Sequence, residues 1–208
     1  MIHFVLIRHG ETSWTRQKRY QGSVNTRLNA RGRKQMQGFV KEIARYNPDI
    51  IFSSSLGRCR ESAEILCAPL KIRPTVDSRL NEINFGQWEG KTADDLIKEK
   101  NKSYGQWIKG ELVTPQGGET LRSLKKRVAG FIDECLKKRD NKKVIIVTHG
   151  GTIRMFFIII LKLSMKSCFQ FRIDPGTMTI LAKYDHSAQL VSLNSSSPKK
   201  GIVPNGCV

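Results

Sequence analysis

The amino-acid sequence predicts an α/β fold, a three-layer sandwich whose mostly parallel central sheet carries helices on both faces and an antiparallel hairpin at its C-terminal edge. Three observations lead there. The apolar runs Phe4–Ile7 (FVLI), Asp49–Phe52 (DIIF) and Val144–Val147 (VIIV) show no polar alternation, and unbroken apolar runs are what strands covered on both faces look like. Stretches with helical spacing separate them, as the crossovers between parallel strands require. Near the C-terminus two further strand-like runs follow one another through a short turn, a link that joins antiparallel neighbours.

Taken in order, Phe4–Ile7 is the first strand, β-branched or aromatic in character. Asn29 can cap a helix running to about Arg45, which the Asn47-Pro48 pair ends. Asp49–Phe52 is the second strand. Thr92, with Asp95 three residues on, resembles a capping box for a helix through Ile97 and beyond. Leu121, Leu124, Val128, Phe131, Ile132 and Cys135 recur at spacings of three and four and mark one face of a long helix from about Glu119 to Lys138. Val144–Val147 is the third strand. The longest apolar stretch, Met155 to Leu161, is far below the ~20 residues a membrane-spanning helix needs. Flanked by Arg154 and Lys162, it reads as a buried core helix. Thr177–Tyr184 and Gln189–Leu193 form the hairpin around Asp185-His186-Ser187-Ala188. No linker or repeat divides the chain, so residues 1–194 are expected to be one domain. Residues 195–208, rich in Ser, Pro, Gly and Lys, are expected to be a disordered tail.

A chain of 208 residues can bury a core without disulfides or a structural metal. Lys and Arg number 36 against 18 Asp and Glu, a net charge of +18. That balance implies an anionic partner without choosing between a small phosphate, a nucleic acid and an anionic membrane surface. The five cysteines, at 59, 67, 135, 168 and 207, are scattered and form no C-x-x-C pair. Neither a zinc site nor a disulfide framework follows from them, and a reducing compartment suits them better. The run from Ile2 meets Arg8 too soon for the core of a secretory signal, so a cytoplasmic protein is expected.

Each of the three buried runs ends in polar residues: Arg8-His9-Gly10-Glu11-Thr12, Ser53-Ser54-Ser55-Leu56-Gly57-Arg58 and Thr148-His149-Gly150-Gly151-Thr152. Parallel sheets bind ligands beyond the carboxyl ends of their strands, where helix N-termini offer free N–H groups. Two histidines and two arginines therefore converge on one sheet edge, and the glycine after each histidine lets backbone amides approach a ligand. A metal site is a weak reading: no carboxylate stands at ligand spacing, and the arginines would repel a divalent cation. A Ser-His-Asp reading is also weak, since G-x-S-x-G is absent. A phosphate fits better, because guanidinium forks grip its oxygens while a neutral imidazole can attack phosphorus. A leaving alkoxide then needs a carboxyl group close by.

Arg8-His9-Gly10-Glu11-Thr12 resembles the R-H-G-x-T signature of the histidine phosphatase superfamily, the phosphoglycerate mutase-like family. The resemblance continues in family order to about Asn194. It runs through Ser53–Arg58 with Ala63-Glu64, then Leu80–Gly90 (LNEINFGQWEG), Gly117-Gly118-Glu119-Thr120, and Val147–Gly151. It implies that His9 is the nucleophile that becomes phosphohistidine, and that Arg8, Arg58 and His149, with Gly150, form the phosphate pocket. It further implies that Glu82 is the general acid, ahead of the nearby Glu11 and Glu89. Gln21 and Gly22, in Arg19-Tyr20-Gln21-Gly22, then border the substrate, a small anionic phosphomonoester. No metal or organic cofactor is implied.

One departure stands out. Relatives commonly carry Asn where this chain has Thr15, a phosphate-binding position at which a hydroxyl offers one donor against the two of an amide. Asn25 likewise stands where Asp is frequent, a change expected to lie outside the catalytic core. The segment from Ile83 to Gly90 looks like the phosphatase side of the family, since family mutases carry a Tyr-rich stretch after the acid and an insertion between the acid-bearing segment and the second histidine. L-N-E-x-x-F-G-x-W-E, Tyr104 with Trp107, and the closing L-V-S-L-N resemble the branch that acts on alpha-ribazole 5′-phosphate. His3, His186, Trp88 and Trp107 are expected to be structural. A catalytically weak member using its basic face for nucleic acid is the alternative of another class, and no nucleic-acid-binding motif supports it.

Overall fold

The computed structural model describes residues 1–70, 72–137 and 143–196. Its sheet has six strands: β1 (Ile2–Arg8), β2 (Ile50–Ser53), β3 (Thr75–Val76), β4 (Lys143–Thr148), β5 (Met178–Lys183) and β6 (Ala188–Ser195). Their order is β3-β2-β4-β1-β5-β6. The first four strands in this order run parallel, while β5 pairs antiparallel with β1 and β6 with β5. The expected sandwich is the observed one. The unbroken apolar runs are the central strands, and the hairpin closes one edge. The two-residue β3 was not expected, being too short to leave a pattern.

The helices are α1 (Ser13–Arg16), α2 (Ala30–Tyr46), α3 (Gly57–Cys67), α4 (Ala93–Lys98), α5 (Lys102–Ile108), α6 (Leu121–Lys137) and α7 (Gly150–Ile160). Alternate residues of the central strands face opposite layers, as the strand period of two requires. Phe4, Leu6, Val144 and Ile146 pack with the apolar stripe of α6 and with α7. Val5, Ile7, Ile145 and Val147 pack with Met36, Phe39 and Ile43 of α2 and with Ala63 and Leu66 of α3. Both faces are therefore dry, which explains the missing polar alternation.

Helix boundaries follow the caps. The Asn29 side chain accepts from Gly32 N, and Asn47 ends α2 in a left-handed conformation. Thr92 and Asp95 form the reciprocal capping box of α4. That helix stops at Lys98 rather than running on, and Asn101 caps α5 anew. The expected last residue of the long helix, Lys138, lies outside the described residues, as do 197–208 of the tail. Ser195, taken with the tail, is the last residue of β6. Among the described residues no helix is long and apolar enough to cross a membrane. Trp88, 1% exposed, packs with Leu96 and Tyr104 in a small satellite core that Tyr20, Phe85 and Trp107 flank.

Strand register positions the chemistry. Arg8 of β1 is level with Thr148 of β4, and Ser53 of β2 with Val147. Of the residues that follow, His9 and His149 therefore leave adjacent strands level with each other, and Ser54 leaves β2 one residue lower.

Candidate active site

His9 and His149 stand with ring centroids 5.2 Å apart, and both are buried. Nδ1 of His9 is 2.8 Å from the carbonyl of Gly10. That nitrogen must carry the proton, since a carbonyl only accepts, and the Nε2 lone pair is left free. Burial, reinforced by the charges of Arg58 and Arg8, holds the His9 pKa well below its ordinary value. The same causes, burial first, keep His149 neutral.

Arg58 enters from α3 and is fully buried. Nη1 donates to the Val24 carbonyl and Nη2 to the Gly22 carbonyl, each at 2.7 Å, while Nε faces Nδ1 of His149 at 3.2 Å. One N–H on each terminal nitrogen remains for an anion. Arg8 donates through Nη1 to the carbonyl of Ile173, and its Nε is buried without a partner. An orphaned, buried guanidinium N–H is costly unless a ligand satisfies it. Burial pushes Arg8 down to about 10, so it remains a cation at neutral pH.

Of the three carboxylates near the motifs, Glu11 accepts from Asn29 and Glu89 accepts from Ser23 and the Phe85 amide. Glu82 instead lines a cavity of about 410 Å³ together with Arg8, Thr15, Gln21, Gly22 and Arg58. Its Oε2 takes the amide of Gly151 at 3.2 Å. A Cβ at Gly151 would stand 2.5 Å from Oε1, so a side chain there would push the carboxylate from this position. Gly150, at the start of α7, lies against the Arg8 guanidinium. Gly22 has φ of +49°, a conformation that suits glycine and turns its carbonyl to Arg58.

The structure thus brings Arg8, His9, Arg58, Glu82, His149 and Gly150 together, with Gln21 and Gly22 on the cavity wall. Two residues behave otherwise than anticipated. Thr15 lines the cavity, but its hydroxyl donates to the Thr12 carbonyl and accepts from Thr12 N as part of the capping box of α1. Its one donor is consumed locally. Asn25 is closer to the chemistry than expected, since its Oδ1 accepts from Gly57 N beside Arg58.

Other residues of the site carried no signal sufficient to name them. Ser54 lies inside a recognised motif, and its Oγ is 2.8 Å from Nε2 of His149. Arg127 donates to the carbonyls of Arg79, Asn81 and Glu82 and is paired with Glu119, so α6 clamps the segment bearing Glu82. Buried Cys59 lies 3.3 Å from His149 Nε2, and burial pushes its thiol up to about 12, which keeps it un-ionised.

Phosphoserine phosphatase 1 of Hydrogenobacter thermophilus is 28% identical over 195 residues, covering 93% of this chain and 92% of that protein. The adenosylcobalamin/alpha-ribazole phosphatase of Escherichia coli is 27% identical over 191 residues, 91% of this chain and 94% of its own length. Among solved structures, a mycobacterial glucosyl-3-phosphoglycerate phosphatase in complex with VO3 superposes with a TM-score of 0.86 at 25% identity, over 94% of this chain and all of that one. The family model for the histidine phosphatase superfamily (branch 1) matches residues 4–196. With that match over nearly its whole length, and with phosphatases among its relatives, the chain is an enzyme of the histidine phosphatase superfamily.

Proposed function

We propose that this enzyme hydrolyses phosphomonoesters of small metabolites through a phosphohistidine at His9, a scheme that needs neither metal nor organic cofactor. The observation that carries this reading is the Gly10 carbonyl on His9 Nδ1, which leaves Nε2 as an unprotonated nucleophile beside two arginines. Nε2 attacks phosphorus as the bond to the ester oxygen breaks. Glu82, in its acid form, gives its proton to the departing alkoxide. The resulting carboxylate takes a proton from water, whose oxygen attacks phosphorus, and inorganic phosphate leaves with His9 restored. The free N–H groups of Arg8 and Arg58 face the equatorial oxygens and hold the charge that develops there. For His149 to donate to a phosphoryl oxygen, its Nε2–H must exchange Ser54 Oγ for that oxygen.

Alpha-ribazole 5′-phosphate and phosphoserine are the candidate esters that the relatives suggest. The described cysteines are buried thiols, which supports a reducing, cytoplasmic setting.

The test is acid-quenched labelling with a phosphorus-labelled monoester in the presence of chelator, for wild type and His9→Ala. An acid-labile, base-stable adduct that the variant lacks, with steady phosphate release, is expected. An adduct discharged only by a second sugar acid would replace hydrolysis with a mutase reaction. No adduct and no turnover would overturn the reading.

A further inference from the structure

The Gly10 carbonyl that meets Nδ1 of His9 belongs to the Gly10–Glu11 peptide, and that peptide has a second edge. A peptide group is planar and trans, with its N–H directed opposite to its C=O. Whatever grips the Glu11 N–H therefore fixes where the Gly10 oxygen points. The grip comes from α2. Oε1 of Gln35 accepts the Glu11 amide at 2.8 Å, matching the 2.8 Å contact of the Gly10 carbonyl with His9 Nδ1 on the other edge.

Gln35 is itself held in one orientation. Its Nε2 donates to the Pro175 carbonyl at 3.2 Å. A backbone N–H on one side and a carbonyl on the other leave a single choice for the two ends of the side-chain amide. That amide lies against Gly176, where an added Cβ would stand 2.4 Å from Gln35 Cδ. Gly176 N in turn donates to the His9 carbonyl at 2.9 Å. Helix capping does not account for Gln35. Asn29 caps α2 on Gly32 N and holds Glu11 as well, through its backbone N–H on the Glu11 carbonyl at 3.0 Å and Nδ2 on the carboxylate at 2.8 Å. Gln35 stands three residues beyond Gly32, on the same helix face, and so over the same loop.

The His9 ring, the Gly10–Glu11 peptide, the Gln35 amide and the Pro175 carbonyl thus form one series in which each member donates to the next. Hydrogen bonds in such a series polarise one another. A carbonyl whose peptide N–H is also bonded accepts more strongly, which secures the proton on Nδ1 and leaves Nε2 free.

We infer that Gln35 is a positioning residue for His9, fixing through the Gly10–Glu11 peptide the carbonyl that sets the tautomer of the nucleophile. This rests on the reading of His9 as nucleophile, while the tautomer itself can be observed without turnover.

The experiment compares two variants. Gln35→Glu keeps an oxygen for the Glu11 N–H, whereas Gln35→Met keeps side-chain length and helix propensity and removes the acceptor. In Gln35→Met kcat/KM is expected to fall about 10-fold, the scale of one hydrogen bond, and to fall alike for alkyl and aryl esters because Glu82 is untouched. Gln35→Glu is expected to stay within about 3-fold of wild type. Inhibition by inorganic phosphate should change less than about 2-fold in both, since the loss falls on orientation of the nucleophile and not on binding. Nitrogen NMR of the ring in the free proteins adds a readout that packing alone does not move. The His9 Nε2 signal is expected to stay that of an unprotonated nitrogen in wild type and Gln35→Glu, and to shift toward the average of the two tautomers in Gln35→Met. A Met variant as active as the Glu variant, or one with an unchanged ring spectrum, would overturn the inference. A wild type that turns over no ester removes the phosphatase reading, and the ring spectra then still decide whether Gln35 sets the tautomer.

Discussion

Nε of Arg58 lies 3.2 Å from Nδ1 of His149, and because a guanidinium only donates, this contact sets the tautomer of the imidazole. The proton must be on Nε2, which donates to Ser54 Oγ at 2.8 Å. Ser54 in turn donates to Asn81 Oδ1 at 2.7 Å. The chain links α3, α7 and the segment bearing Glu82 through one set of directed bonds. Ser54→Ala removes the resting acceptor that orients the ring before Nε2–H passes to the phosphoryl oxygen, and is expected to lower kcat/KM about 10-fold through lost pre-organisation, the equivalent of roughly one hydrogen bond. Ser54→Thr, which keeps the hydroxyl, is expected to retain most activity. Steady-state kinetics of both variants check this, with nitrogen NMR of the ring following the tautomer.

Acid should affect activity and stability in the same direction. His9 is held well below its ordinary value of 6.5, by burial first and then by Arg58 and Arg8. The nitrogen that attacks in the proposed scheme therefore stays unprotonated as pH falls through 6.5, and the acid limb of kcat/KM that His9 would cause is expected below that value. His149 is depressed for the same leading reason. In the unfolded chain both rings take protons from about pH 6.5 downward, so there the unfolded state binds more protons than the folded one. Stability is then full above 6.5 and is lost as pH falls from 6.5 toward the folded-state values, by at most about 1.4 kcal/mol per pH unit for each histidine. Thermal melts across this range check the slope, and His149→Gln should make it shallower.

Thr15 spends its hydroxyl proton on the Thr12 carbonyl. Thr15→Asn offers the cavity amide donors that the local turn does not need in full. The expected outcome is a lower KM for simple monoesters, by roughly 3- to 10-fold for one added hydrogen bond of ordinary strength. Inhibition by inorganic phosphate should strengthen in parallel, and competition assays measure both.

In the proposed scheme, general acid catalysis by Glu82 matters most when the leaving alcohol is a poor one. Glu82→Gln is expected to slow an alkyl phosphate by about 10²- to 10⁴-fold, and to slow an aryl phosphate with a good leaving group much less. Arg127→Ala frees the carbonyls of Arg79, Asn81 and Glu82 from their clamp. It should reproduce the same leaving-group dependence in weaker form, which a general loss of folding would not. Rates over a series of leaving groups distinguish the two.

The unbroken runs that became β1, β2 and β4, the Asn29 and Thr92 caps and the stripe on α6 were legible in the sequence because they depend on neighbours a few residues away. The motifs at the strand ends marked where Arg8, His9, Arg58 and His149 would gather, since parallel strands deliver their carboxyl ends to one edge. What only the tertiary structure decided concerns groups far apart in the chain. Glu82 is singled out from Glu11 and Glu89 because it is the one of the three that lines the cavity, where Gly151, 69 residues away, gives it an amide. Thr15 is withdrawn by a cap whose geometry depends on how α1 is seated. Arg127 acts on Glu82 across 45 residues. Local pattern reports which surface a residue must bury, whereas a polar side chain takes its partner from the register and packing of segments that fold onto one another.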